Sequence, residues 1–327
     1  MSDIVFLTDP ESLPEGGGVL RAGGTDLQER LRSSNASPRI LDLMGIEDFA
    51  GISFGAGLGF EHDEGGSEAV GGGTRIGAGT RMAVVAEALA DSYPALAQTT
   101  ASLATPQVRA VGTIGGNLLQ HTRCWYARHP DLSCFKTGGN SCPARDGHHL
   151  YGVVFDTSAC VHPHPSSIAM ALLLHDAEVA IAGHGRATVS ELLGDGSDPT
   201  REHTLGEGQV VTAVHLPPPW EDERAAYFRA ISRFEAEWPL VEAVCRVRLG
   251  EDGTVAECGI AVGGVAPVPL RMRHAEDLLR GAQLDDDTIA AVSAACARGA
   301  TPLPETAYKV ELLVATVREV LESVAAQ

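Results

Sequence analysis

Arg21-Ala22-Gly23-Gly24-Thr25-Asp26-Leu27 stands between a short apolar run at residues 19–22 and a helix-forming stretch at residues 26–32. The order is strand, glycine turn, helix. Glycine lets a backbone approach a ligand with no Cβ in the way, and successive N–H groups where a helix begins form a concavity that favours an anion, a diphosphate above all. A second turn of similar chemistry follows much later, Gly112-Thr113-Ile114-Gly115-Gly116-Asn117, with a hydroxyl beside free backbone donors. Each signal is weak alone, because glycine pairs are common where strands turn into helices. Two such turns in one domain would grip one cofactor. The first is not Gly-x-Gly-x-x-Gly, which counts against a Rossmann site, and no Gly-Lys-Ser or Gly-Lys-Thr follows it to make a Walker A loop.

Outward from the first turn, residues 4–7 and 39–43 read as strands, so the first fifty or so residues form a small α/β unit. Residues 51–79 are rich in glycine, including Gly71-Gly72-Gly73, and predict turns and tight strand ends. Helices are predicted at residues 82–89, 95–101 and 167–174, and a strand at 178–181. Pro217-Pro218-Pro219 is the strongest break, placing a domain boundary between residues 1–217 and 218–327. The second part predicts strands at 227–231, 241–249 and 258–265, helices at 275–279 and 286–297, and a long amphipathic helix at 308–321. Asp285-Asp286-Asp287 reads as a helix N-cap rather than a cation site, and Lys309 as a solvated lysine.

At about 150 residues per domain, 327 residues make roughly two domains. The chain is 44% hydrophobic, 20% charged and 5% aromatic, which is globular rather than disordered. Twenty-four Lys and Arg against 43 Asp and Glu leave a net charge of -19, so a phosphate backbone or an anionic membrane surface is repelled. Neither nucleic acid nor membrane is expected as a partner. No run of about 18 apolar residues occurs, and Met1-Ser2-Asp3-Ile4 lacks the basic and apolar regions of an export signal, so the cytoplasm is the default compartment.

Four of the seven cysteines, Cys124, Cys134, Cys142 and Cys160, fall within a 37-residue window rich in Gly, Pro and polar residues. Four thiolates suit a [4Fe-4S] cluster or a structural zinc, although no Cys-x2-Cys pair favours a zinc ribbon. Disulfides and unrelated buried thiols are the other readings. Cys245, Cys258 and Cys296 are scattered through core-like stretches. Among the twelve histidines, His148-His149 reads as a solvated turn and His162 and His164 as structural, while His121 and His129 border Cys124 without being needed as ligands. No Gly-x-Ser-x-Gly elbow or His-Glu-x-x-His helix supports hydrolase chemistry.

The pairing of Ala22-Gly23-Gly24-Thr25-Asp26-Leu27 with Val111-Gly112-Thr113-Ile114-Gly115-Gly116-Asn117 resembles the flavoprotein subunit of the molybdenum hydroxylases, the xanthine dehydrogenase and aldehyde oxidoreductase family. The likeness runs over nearly the whole chain. It includes His164-Pro165-Ser166-Ser167, Gly263-Gly264-Val265-Ala266-Pro267 with Pro269 and Arg271, and Tyr308-Lys309. It implies an α+β fold. A two-part FAD-binding domain, a small α/β unit plus a mixed α+β unit of the vanillyl-alcohol-oxidase type, precedes a C-terminal domain of the CO dehydrogenase flavoprotein type with a small antiparallel sheet and helices. By this resemblance the FAD pyrophosphate is held by Ala22, Gly23, Gly24, Thr25, Asp26 and Leu27 on one side and by Gly112, Thr113, Gly115, Gly116 and Asn117 on the other. The resemblance also implies Ser166, Ser167 and Arg229, the last ahead of Ser232-Arg233, as further cofactor contacts. The family often carries Asp where this chain has Ser167, and many relatives carry Arg-Asn where it has Arg109-Ala110.

The resemblance also bears on the cysteines. Family members of the 4-hydroxybenzoyl-CoA reductase and periplasmic aldehyde oxidoreductase types have an inserted loop holding a [4Fe-4S] cluster. Residues 119–161, with Arg123-Cys124-Trp125-Tyr126, Gly138-Gly139 and Cys142, look like that loop, making Cys124, Cys134, Cys142 and Cys160 the ligands. The implied function is the FAD-binding electron-transfer subunit of a heterotrimer. A large molybdopterin-binding subunit oxidises an aldehyde or a xanthine-like substrate, a small subunit relays electrons through two [2Fe-2S] clusters, and FAD here passes them to an external acceptor. No catalytic acid or base is expected in this chain. A hydrophobic face is expected to be hidden against the partners, and export on a partner's twin-arginine signal would make the complex periplasmic. The alternatives are the flavoprotein subunit of a 4-hydroxybenzoyl-CoA reductase-like enzyme with reversed electron flow, a stand-alone flavin oxidase or dehydrogenase, and a scaffold that has lost FAD.

Overall fold

β-branched and leucine residues at residues 4–7, 19–22 and 39–43 build a parallel sheet of three short strands, β1 (Ile4–Phe6), β2 (Val19–Arg21) and β3 (Ile40–Asp42), with β3 central and fully buried. The computed structural model describes residues 3–33, 37–55, 72–232 and 237–327. Gly71 and Arg233 of the sequence reading lie outside the described residues. The helix Thr25–Ser33 follows β2 through Gly24, whose φ of +73° is a left-handed conformation that glycine adopts without strain.

Strands β4 (Ile52–Phe54), β5 (Thr74–Gly77), β6 (Glu178–Ile181), β7 (Gly185–Thr188) and β8 (Val211–Leu216) form an antiparallel sheet in the order β4-β5-β8-β6-β7. Val214 of β8 faces Ile76 on one side and Val179 on the other, so the last strand in sequence zips together two that precede it. The helices Met82–Ala88 and Pro94–Ala101 and the first helix residues after Ser166 seal this sheet with Val85, Leu89, Leu96 and Ile168, all inaccessible to solvent. The helix Ser167–Leu174 is apolar all round because it is covered twice: Ile168 and Leu172 enter this core, while Met170 and Leu174 meet Val244 and Ala261 of the C-terminal part.

Beyond Pro217-Pro218-Pro219 the chain changes sheets. β9 (Arg224–Ala230), β10 (Val241–Leu249), β11 (Val255–Gly263) and β12 (Leu270–Arg271) run antiparallel in the order β12-β11-β10-β9. The helices Arg273–Leu279, Asp286–Ala295 and Tyr308–Ala325 pack on it through Leu279, Val292, Leu313, Val317 and Leu321. Asp285 caps the second of these by accepting from the Thr288 N–H at 2.8 Å. A buried joint fixes this sheet to the first part: Arg246 lies 2.9 Å from Glu223, over the Trp220 ring at 3.4 Å, and bonds to His175 Nδ1.

Lys309 departs from its expected solvated place. It is 1% exposed, and its Nζ donates to the Gly152 oxygen at 2.9 Å and to the Gly264 oxygen at 2.5 Å, carbonyls that need a buried donor. Burial pushes its pKa down to about 7 from an ordinary 10.5. Between those values the unfolded chain holds the proton and the folded one releases it, so this group makes stability rise with pH from about 7 upward. Between pH 7 and 9 the wild type should gain about 2–3 kcal/mol relative to Lys309→Met. Paired urea titrations at each pH check this, and a constant difference refutes it.

Candidate functional site

The two glycine turns touch. A Cβ on Gly23 would stand 2.3 Å from the Val111 oxygen and 2.9 Å from Gly112 Cα, so only glycine allows the first turn to rest on the second. Thr113 caps the short helix Ile114–Leu118, its hydroxyl accepting from the Gly116 N–H at 3.1 Å. A Cβ on Gly115 would meet Ala78 at 2.8 Å, which holds this turn against the end of β5.

Above the paired turns opens a cavity of about 720 Å³, within the range of cofactor sites. Every residue from Ala22 to Leu27 lines it, with Gly112, Thr113, Gly115, Gly116, Asn117, Ser167 and Arg229. Ser166 stands behind the wall: its hydroxyl donates to Asn117 Oδ1 at 2.8 Å and accepts from the Ala169 N–H at 2.9 Å, capping the helix and orienting the asparagine. An apolar side is made by Leu43, Phe49, Leu103 and Val108. Sequence reasoning missed the rest of the enclosure, the segment Leu205 to Val211 and the C-terminal residues Glu237, Trp238 and Pro239. The Gly206 and Gly208 pair was the available signal for the former; Trp238 carried none.

Asp26 faces protein cations as well as the cavity. Its carboxylate takes Arg128 at 2.8 Å, Arg123 at 3.1 Å and the His121 N–H at 3.3 Å, with Arg30 at 3.7 Å. Burial alone would raise its pKa, but the Arg128 hydrogen bond and the charges of Arg123 and Arg128 outweigh it and hold the carboxyl below its ordinary value. Arg123 also pairs with Glu29 and lies over the Trp238 ring at 4.4 Å, so one side chain at the edge of the cysteine segment joins the first helix to the C-terminal rim. His203, on the cavity wall, is pushed down to about 4 by burial and by Arg201 and is neutral at pH 7.

The cysteine-bearing stretch lacks long elements but is not shapeless: short helices form at Trp125–Arg128 and Pro143–Asp146. It is fastened by Lys136 to Glu202 at 3.3 Å, by the Thr122 N–H to Glu202 at 3.1 Å, and by a two-pronged Arg145–Asp156 pair at 3.0 and 2.6 Å. All four of its cysteines are free thiols, Cys134 and Cys160 buried and Cys124 and Cys142 half-buried. The Cys142 and Cys160 thiols hydrogen bond to each other, which pushes Cys142 down to about 5 and Cys160 upward. Burial raises Cys124, and Cys142 and Cys134 are near enough to add to it. Among the described residues no three His, Cys, Asp or Glu side chains are gathered to hold a metal ion. His148 is exposed and shares Glu305 with its neighbour, but His149 is largely covered, so the expected solvated turn holds for the first alone.

The family that the sequence matches is one of flavoproteins. Residues 16–219 match the FAD binding domain in molybdopterin dehydrogenase, and residues 226–324 match the CO dehydrogenase flavoprotein C-terminal domain. The chain belongs to the FAD-binding subunits of the molybdenum hydroxylase family and is an oxidoreductase subunit. It is 33% identical over 243 residues to the aldehyde oxidoreductase FAD-binding subunit PaoB of Escherichia coli (strain K12), covering 72% of each chain. It is 24% identical over 210 residues to the xanthine dehydrogenase FAD-binding subunit of Escherichia coli O157:H7, covering 64% of this chain and 57% of that one. In fold it is similar to carbon monoxide dehydrogenase from Hydrogenophaga pseudoflava, with a TM-score of 0.70 and 20% identity over 99% of this chain and 97% of that one. Quinoline 2-oxidoreductase from Pseudomonas putida 86 gives a TM-score of 0.69 and 17% identity over 100% of this chain and 97% of that one. Among the described residues no helix is long and apolar enough to cross a membrane.

Proposed function

We propose that this chain is the electron-relaying subunit of a heterotrimeric molybdenum hydroxylase of the aldehyde oxidoreductase or xanthine dehydrogenase type. The observation that carries this is the contact of the two glycine turns at Gly23 and Gly112 beneath a cavity large enough for a dinucleotide. The residues fit the cofactor: Cβ-free backbone at the floor, apolar side chains at one side, and hydroxyl, amide and guanidinium groups at Thr113, Asn117, Ser167 and Arg229. FAD bound there supplies electron storage between one-electron and two-electron partners. The chain's own residues then do the work of placement. Thr25 and the Gly23–Gly24 turn would hold the diphosphate from one side and Gly112–Gly116 from the other, while Trp238 with Pro239 would limit water at the C-terminal side. The two domains of this reading divide at residues 217 and 218, between β8 and β9.

The reading extends to the cysteines. Cys124, Cys134, Cys142 and Cys160 are all-thiol donors in one fastened segment, and the Cys160 thiol beside Cys142 lowers the Cys142 pKa, toward the thiolate an iron ligand needs. A [4Fe-4S] cluster is larger than a single ion and does not require thiols converging on one point. The partners are a large molybdopterin-binding subunit, a small subunit with two [2Fe-2S] clusters and an external electron acceptor, in the cytoplasm unless a partner carries a twin-arginine signal. An anaerobic visible spectrum of the purified chain before and after dithionite, with iron and acid-labile sulfide counted, tests the reading. Bleachable flavin bands over a broad shoulder, with roughly four irons per chain, are expected. Flavin without iron overturns the cluster, and a colourless chain that takes up no added FAD overturns the flavoprotein.

A further inference from the structure

A carboxyl group lies directly behind the Ser167 wall of the cavity, and an electron relay has no evident use for it. Glu242, on β10, is 2% exposed. Its seat is built by the sheet. On one side its partner in register is Gly263, where a Cβ would stand 2.5 Å from Glu242 Oε1. On the other side its partner is Arg229, with Tyr227 two residues along the same strand and so on the same face. The Tyr227 hydroxyl donates to Glu242 Oε2 at 2.8 Å, and the Ser167 hydroxyl is near enough to both side chains to bear on their ionisation. Burial raises the Glu242 pKa, against the opposing hydrogen bonds of Ser167 and Tyr227 and the charge of Arg229. Ser167 and Arg229 themselves line the cavity.

We propose that Glu242 is a positioning residue for the bound flavin, fixing which way the Ser167 hydroxyl faces the cavity. The inference rests on the FAD reading above. An ionised carboxylate only accepts, so it draws the Ser167 proton inward and turns the serine lone pairs toward the ligand; a protonated one donates and turns the serine O–H outward. In either state the polarity of the wall is set from the C-terminal sheet, across the domain boundary, before the ligand arrives.

The test uses the full chain reconstituted with FAD and the variants Glu242→Gln, Ser167→Ala and their combination. Glu242→Gln should weaken FAD binding by roughly tenfold, about the size of one misdirected hydrogen bond, because the amide presents Ser167 with a donor and an acceptor in fixed places. It should also move the long-wavelength flavin band and the two-electron midpoint potential. In the Ser167→Ala background both spectral and potential shifts should shrink to less than about half, because coupled residues do not add. Tyr227→Phe, which removes one hydroxyl and no charge, should give a smaller shift with the same dependence on Ser167, and it decides the matter if Glu242→Gln does not fold. Band and potential unchanged, or shifted equally with and without Ser167, overturn the inference while leaving FAD binding intact. A wild-type chain that binds no FAD overturns the underlying reading instead.

Discussion

Gly23→Ala should empty the cavity of flavin. The new methyl group would stand 2.3 Å from the Val111 oxygen and 2.9 Å from Gly112 Cα, and both are backbone atoms with no rotamer to yield. Relief requires moving one glycine turn off the other, which widens the floor on which a diphosphate would sit. Overpacking of this kind costs about 1–3 kcal/mol of stability. Its effect on binding should be larger, a fall in FAD per chain of at least about tenfold, because a misplaced floor loses several backbone contacts together. Gly116→Ala is the comparison: its Cβ would meet only the Thr113 hydroxyl, at 2.9 Å. A side-chain oxygen gives more readily than backbone, so this variant should retain more flavin than Gly23→Ala. Flavin released by denaturation and counted per chain, alongside a urea midpoint, reads both effects. Full flavin content in Gly23→Ala would remove the two-turn floor from the account.

The glycine turns were legible because their chemistry is local: a left-handed Gly24 before a helix, or a threonine cap at Thr113, is written in a few adjacent residues. The helices Met82–Ala88 and Ser167–Leu174 and the strands β6 and β10 were legible for the same reason, through apolar runs with clear ends. What sequence did not reveal depends on distant partners. β8 earns its place only by lying between β5 and β6, and no pattern within residues 211–216 names those neighbours. Lys309 reads as a surface residue until the Gly152 and Gly264 carbonyls are brought to it. Asp26 was placed with the cofactor turn, yet its carboxylate meets Arg123 and Arg128, cations from a segment about a hundred residues on. Trp238 reaches the cavity from just ahead of β10, and Arg123 stacks on it from the cysteine-bearing stretch.

On the proposed cluster reading, Cys160→Ser should strip the chain of iron while sparing its flavin. Cys160 is buried and its thiol hydrogen bonds to Cys142, so the change removes one sulfur donor and leaves a hydroxyl beside Cys142 in its place. Oxygen is a poor substitute where thiolate binds iron. From the roughly four irons per chain that the cluster reading expects of the wild type, iron and sulfide should fall below about one. The flavin should stay within about twofold, because the segment is also held by polar contacts that involve no sulfur, Lys136 to Glu202, Arg145 to Asp156 and Arg128 to Asp26. Those ties begin next to the cavity, so a collapse of the whole segment would show as flavin loss as well. Cys245→Ala is the companion variant: this thiol is inaccessible in the C-terminal core, where burial raises its pKa, and its loss should leave iron untouched. Iron that falls in both variants would mean general destabilisation. Iron that survives Cys160→Ser would take Cys160 out of the ligand set and leave its pairing with Cys142 as a contact between two thiols.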